Sequence, residues 1–187
     1  MKPDSWAAGA TASATALHNR ATQIRKPGVY IGFLEWIIWG LANKMTVLML
    51  FGDAIQDIIG MFAPLAVPDD LRVGWAQALV AVVRCTPGGE VQAASGLHPL
   101  VNHFMIGSMV RLRPMKEPPP ASAITETTCA KQAARRAGWR LLDTVTQGDC
   151  GIDTMAHFMK RPRTAETWLA IRHELADYLE ARAQDPM

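Results

Sequence analysis

The run Met45-Thr46-Val47-Leu48-Met49-Leu50-Phe51 constrains the fold most, because it is apolar at nearly every position and stops at Gly52. A strand with one solvated face alternates apolar and polar residues, whereas an unbroken apolar run reads as a strand covered on both faces. Cover must therefore come from neighbouring elements. Phe33 to Ala42 lies between the breaker Lys26-Pro27-Gly28 and the pair Asn43-Lys44. It is apolar nearly all round and predicts a short enclosed helix. Trp75 to Arg84 ends in a β-branched run before Thr86-Pro87-Gly88-Gly89 and predicts a second strand. Phe104 to Leu112 predicts a third, and the residues leading into it carry His98 and His103. Asp53 to Met61 reads as a loop with a helical turn, and Pro64 and Pro68 stop anything regular after it.

Pro114-Met115-Lys116-Glu117-Pro118-Pro119-Pro120 is the clearest linker, since stacked prolines enter neither a helix nor a sheet interior. Beyond it, Thr127 to Ala137 predicts a helix capped by Gly138, and Trp139 to Val145 a short strand or an extended entry to the cysteine turn. A helix from Cys150 to Met159 follows. A longer one from Thr164 to Arg182 places Trp168, Ile171, Leu175, Tyr178 and Leu179 on one face. The resulting organisation is a loose N-terminal arm over 1–26, in which Thr15 to Ile24 has room for a helical turn or two. A sheet-rich half covers 27–113, the linker 114–122 and a helical half 123–187. A chain of 187 residues that is 49% hydrophobic suits one globular domain, taken as 27–187. Trp36, Trp39, Trp75, Trp139 and Trp168 are its expected core or interface anchors.

A formal charge of +2 is too mild for a nucleic-acid partner, and Arg135-Arg136 and Lys160 to Arg163 read as solvated surface. Glu35, Lys44, Asp53 and Asp57 break the apolar region 29–67 into pieces too short to span a membrane. Without a basic stretch followed by an apolar one near the N-terminus, a secretory signal is not expected. Cys85, Cys129 and Cys150 are odd in number and widely spaced, without metal-ligand spacing. Neither a disulfide framework nor a metal site is expected, no cofactor is indicated, and an intracellular, cytoplasmic location fits reduced thiols.

Gln147-Gly148-Asp149-Cys150-Gly151-Ile152 carries the chemistry. A cysteine at a helix N-terminus, behind a glycine turn, meets the positive end of the helix dipole and free backbone N–H groups. Those groups favour a thiolate and can also hold an oxyanion. The plain alternative is a cysteine acting as a small buried hydrophobe. A nucleophile also needs a base. His157 shares the helix, about 10 Å along the axis at ~1.5 Å per residue, and His173 lies on the later helix. Both read as surface or packing residues.

Gly148-Asp149-Cys150 followed by Ile152 and Ala156, with Ile171-Arg172-His173-Glu174-Leu175-Ala176-Asp177-Tyr178-Leu179 downstream, resembles the opening of an ovarian-tumour (OTU) type cysteine protease. Tyr30 to Glu35 with Leu41-Ala42, the strand Met45 to Phe51 and Asn102-His103-Phe104 resemble the second half of the same family, in reversed order. The resemblance implies an α+β, papain-like OTU-type fold with a small central sheet flanked by helices. The domain would be circularly permuted, with the proline-rich linker joining the old termini.

It further implies a thiol hydrolase in which Cys150 attacks a peptide or isopeptide carbonyl and His103 is the base. Asn102 would orient the histidine, backbone N–H groups from Gly148 through Asp149 to Cys150 would hold the oxyanion, and ubiquitin or a ubiquitin-like protein would be the partner. His98 competes with His103, but Pro99 favours a turn there. Glu35 has no catalytic role and reads as a helix-surface or capping carboxylate. Two positions depart from the family pattern. Gln147 stands where the family has Asp, and Met105 where it often has Asn or Asp after the histidine. They keep open a non-catalytic OTU-like binding module of a polyprotein or mobile-element protein. A third alternative is a fragment spanning two tandem domains, in which Cys150 and His103 never meet.

Overall fold

The structure is a computed structural model that describes residues 14–51, 54–85, 101–109, 132, 134–145 and 148–184, with the backbone alone at 51, 83–85, 101 and 102. Helix α1 (Ala14–Ile24) is followed by α2 (Phe33–Asn43), strands β1 (Met45–Phe51) and β2 (Ala54–Asp57), and the short helix α3 (Ile58–Phe62). A 3-10 turn at Asp69–Arg72 leads to β3 (Ala76–Cys85), β4 (Val101–Met109), β5 (Trp139–Leu142), α4 (Cys150–Phe158) and α5 (Ala165–Gln184). The five strands form one mixed sheet in the order β2-β1-β3-β4-β5. β1 and β3 run parallel, and the other three pairs are antiparallel.

Both faces of β1 are covered, as its sequence requires. Val47 and Met49 join Trp36, Trp39, Val80, Phe104 and Met155 in the main core on the face that carries α2, α4 and α5. Leu50 joins Leu79, Ala81, Met105, Ala134 and Trp139 in a smaller core on the opposite face. Alternation along β3 and β4 thus sorts successive residues to opposite sides. Trp36, Trp39 and Trp139 are buried.

α2 starts where the Glu35 carboxylate accepts the Gly32 N–H at 2.5 Å, an N-terminal capping bond. It ends at Lys44, whose φ of 51° is left-handed. Glu35 also takes Arg20 Nε at 2.7 Å, so it is a buried capping carboxylate.

Two elements and one helix face differ from the sequence expectation. Part of the supposed loose arm is helix α1, which docks on α5 through buried Ala21 and Ile24 and through Arg25, which donates to Asp177 at 2.6 Å and Glu180 at 2.8 Å. Asp53 to Met61, expected as a loop with a helical turn, contributes an edge strand: Ala54–Asp57 pairs back on β1 from Phe51↔Ala54 to Leu48↔Asp57. Asp57 then caps α3 by accepting from Ile59 and Gly60 at 3.1 and 3.2 Å. On α5 the buried face is Ile171, Arg172, Leu175, Ala176 and Leu179, and Tyr178 is exposed. Arg172, three residues before Leu175 and seven before Leu179, lies within the buried face, and Tyr178 lies at its rim.

The helix expected over 127–137 is described at Gln132 and from Ala134 to Arg136, with Gly138 at φ 76° closing it. The proline-rich stretch 114–122 lies outside the described residues, as do His98, Cys129 and Gln147. Among the described residues, no helix is long and apolar enough to cross a membrane.

Candidate catalytic site

β5 ends at Leu142, paired with Ile106, so β4 loses its outer partner near Phe104. Two side chains take over the vacated ladder positions. Thr144 Oγ1 donates to the Phe104 carbonyl at 2.5 Å, and Phe104 N–H meets Cys150 Sγ at 3.5 Å. The first residue of α4 therefore sits at the edge of β4, one residue from His103. By standard backbone dimensions the Sγ is within about 6 Å of the His103 Cα. The sheet half and the helical half meet here, with Cys150 2% exposed.

Glycines allow the approach. A Cβ on Gly151 would stand 2.5 Å from Ile31 Cδ1 and 3.2 Å from Phe104 Cδ2, so a side chain there would have to displace Ile31 and press on Phe104 of β4. Gly148 has φ +91°, and a Cβ there would fall on the Gly28 carbonyl. The turn is held from behind by Arg172, which is 1% exposed. Its Nη2 donates to Asp149 Oδ1 at 2.5 Å and to Gly148 O at 3.2 Å, and its Nε reaches the same carboxylate oxygen at 3.0 Å. Val29 O meets the same Nη2 at 2.8 Å, so its two protons are shared among three oxygens, and Ile24 O accepts from Nη1 at 3.1 Å. Asp149 thus spends its carboxylate on Arg172 and on Gly28 N–H at 3.4 Å. The helical ladder begins with Asp153 N to Asp149 O at 2.8 Å. The N–H groups of Gly148, Asp149 and Cys150 precede it, as an anion-holding turn requires.

His103 is half-buried. Burial lowers its pKa from the ordinary value, and the charge of Asp143 pulls the other way. Its Nε2 lies 3.4 Å from Thr144 Oγ1. The segment carrying Asp143 and Thr144 is anchored on both sides. Arg163 Nη2 donates to Asp143 O at 2.9 Å, and Val145 N–H donates to Asp153 Oδ2 at 3.1 Å. Asp153 is fully buried. It also accepts Arg163 Nε at 2.8 Å and Trp168 Nε1 at 3.2 Å, and it pairs with Arg163 Nη2.

The structure thus brings together Cys150, Gly148, Asp149 and the strand bearing His103. Asn102 is on β4 opposite Arg84, and its side chain lies outside the description. Met105 is buried in the core of the opposite face. His157 is partly buried, edge-on to Phe158 at 5.3 Å, and His173 is exposed, so neither is near the role of a base. Thr144, Asp153 and Arg172 carry parts of the site that the sequence did not assign. Arg172 alone left a signal, as a basic residue inside the apolar face of α5. Among the described residues, no group of three or more His, Cys, Asp or Glu side chains could hold a metal ion. No protein-family model, no curated protein and no solved structure matches the chain.

Proposed function

We propose that the chain is an OTU-like cysteine peptidase with a papain-like, circularly permuted arrangement, acting on ubiquitin or ubiquitin-like conjugates. The observation that carries this reading is the contact of Cys150 Sγ, at the first residue of α4, with the Phe104 N–H beside His103. In the proposed reaction His103 takes the thiol proton and Cys150 Sγ bonds to the substrate carbonyl carbon. The oxygen becomes negatively charged and is held by N–H groups from Gly148 to Cys150. Collapse breaks the C–N bond, with the proton passing from His103 to the leaving amine. Water then attacks the thioester, gives a proton to His103 and frees the acid and the thiol. Reduced thiols of this kind belong to an intracellular, cytoplasmic setting.

A second reading, a non-catalytic OTU-like binding module, is favoured by two features. Cys150 is nearly inaccessible, and Met105 faces the core where the family often has a polar residue to orient the histidine. A ubiquitin electrophile separates the two. Labelling of the wild type and not of Cys150→Ala or His103→Ala supports the peptidase. No labelling of a folded wild type that still binds ubiquitin supports the module.

A further inference from the structure

We infer that Thr144 is the positioning residue of His103, filling by a hydroxyl the place for which the chain supplies no carboxamide or carboxylate after the histidine. Thr144 has one hydroxyl proton, and the Phe104 carbonyl at 2.5 Å can only accept it. With that proton committed, Oγ1 toward His103 Nε2 at 3.4 Å can only accept. The bond forms when Nε2 carries the ring hydrogen, which leaves the lone pair on Nδ1. A neutral imidazole has one donor and one acceptor nitrogen, so fixing Nε2–H makes Nδ1 the proton-accepting atom.

The hydroxyl is itself held in place. Asp143 and Val145, its two chain neighbours, are tied by their backbones to Arg163 and Asp153. Thr144 also continues the register of β5, facing Phe104 two residues beyond the Ile106↔Leu142 pair. Its hydroxyl therefore does for the Phe104 carbonyl what a backbone N–H would do one rung further along the ladder. The same atom serves the strand and the histidine ring, so strand termination and tautomer are set together. This assignment rests on the peptidase reading for its catalytic meaning, since Nδ1 would then be the atom that takes the Cys150 proton.

The test uses the full chain as Thr144→Val, which keeps the shape and removes the hydroxyl, and as Thr144→Ser, which keeps the hydroxyl. Imidazole 15N–1H spectra at pH 7.5, with the His103 resonance identified by His103→Ala, report the tautomer directly. The expected result is Nε2–H in the wild type and in Thr144→Ser, and loss of that preference in Thr144→Val. Iodoacetamide modification of Cys150 should slow at least about 10-fold in Thr144→Val and recover in Thr144→Ser. Nε2–H retained in Thr144→Val, or Nδ1–H in the wild type, overturns the inference. If the tautomer changes as expected but a ubiquitin electrophile labels none of the proteins, the peptidase reading fails and the positioning by Thr144 stands. Denaturation curves of both variants separate either outcome from unfolding.

Discussion

Arg172 Nη2 lies 2.5 Å from Asp149 Oδ1, which ties the third turn of α5 to the residue before the candidate nucleophile. The guanidinium is almost wholly buried and also serves the carbonyls of Ile24, Val29 and Gly148. Removing one partner of a buried pair leaves the other charged group and several acceptors unsatisfied, which costs about 3 to 5 kcal/mol. Arg172→Ala should lower the unfolding free energy by that amount in urea. Arg172→Lys should recover only part of it, because one ammonium cannot span the same carbonyls and carboxylate. Asp149→Asn keeps an oxygen for Arg172 and should cost less than Arg172→Ala. A loss of less than about 1 kcal/mol in Arg172→Ala would show that the turn is held by other contacts.

Gly148→Ala should be among the most damaging single-methyl additions in the chain. Its φ of +91° strains an L residue, and the added Cβ would fall on the Gly28 carbonyl. Strain of this kind costs about 1 to 3 kcal/mol before the clash is counted. The displaced turn moves the sulfur as well, so a thermal melt should fall together with the rate of Cys150 alkylation. Gly74→Ala is the control. It too has a positive φ, 89°, but no atom within 4 Å of the added Cβ. It should lower the melt by less and leave the alkylation rate unchanged.

The sheet core was legible because it rests on runs that can fold in few ways. Met45 to Phe51 is covered on both faces, Trp75 to Arg84 pairs beside it, and α4 and α5 fall within a few residues of their expected ends. The edge strand β2 was not legible, since Ala54-Ile55-Gln56-Asp57 has neither length nor alternation and is a strand only because β1 offers it a ladder. Nor was α1 docked on α5, whose anchors are Ala21 and Ile24 and charges 152 and 155 residues apart in sequence. At the candidate site, Cys150 and His103 stood out as residue types with few roles. Thr144 did not, and Arg172 showed only as a basic residue inside an apolar face, because hydroxyl and guanidinium groups acquire their meaning from the acceptors that folding brings to them. Asn102, the residue expected to orient His103 given a suitable local bend, is described by its backbone alone. The His103 ring meets a residue from the segment beyond β5.

The pH dependence of stability should carry the signature of His103. Burial holds its folded pKa below the ordinary value of about 6.5. As pH falls through 6.5 the unfolded chain takes up a proton first, so unfolding is favoured. The stability present above 6.5 is lost as pH falls through the folded pKa. His157 is shifted in the same direction, mainly by burial and then by Arg163, and adds to the slope. The share of His103 is therefore the difference between wild type and His103→Gln in denaturation free energy at pH 7.5 and pH 5. Asp143 works against burial, so Asp143→Asn should move the His103 titration still lower in an NMR experiment. An upward move would show that Asp143 does not act on the ring.

Asp153 should link the stability of the helix to the reactivity of the cysteine. It is fully buried one turn beyond Cys150 and receives Arg163, the Trp168 indole and the Val145 N–H. Asp153→Asn keeps the shape, but its amide NH2 must face one of these donors, and the charge that balances Arg163 is gone. A loss of about 2 to 4 kcal/mol is expected. Its distinctive effect lies at Val145, since freeing that N–H loosens the segment that carries Thr144. Hydrogen exchange at Val145 should rise by more than the change in global stability explains, and Cys150 alkylation should slow with it. Arg163→Lys keeps the charge but gives up the forked contact with Asp153 and the bond to Asp143 O. It should give the same pattern at smaller amplitude. If Asp153→Asn lost stability while Val145 exchange and Cys150 reactivity stayed as in the wild type, the carboxylate would be a brace for α4 alone.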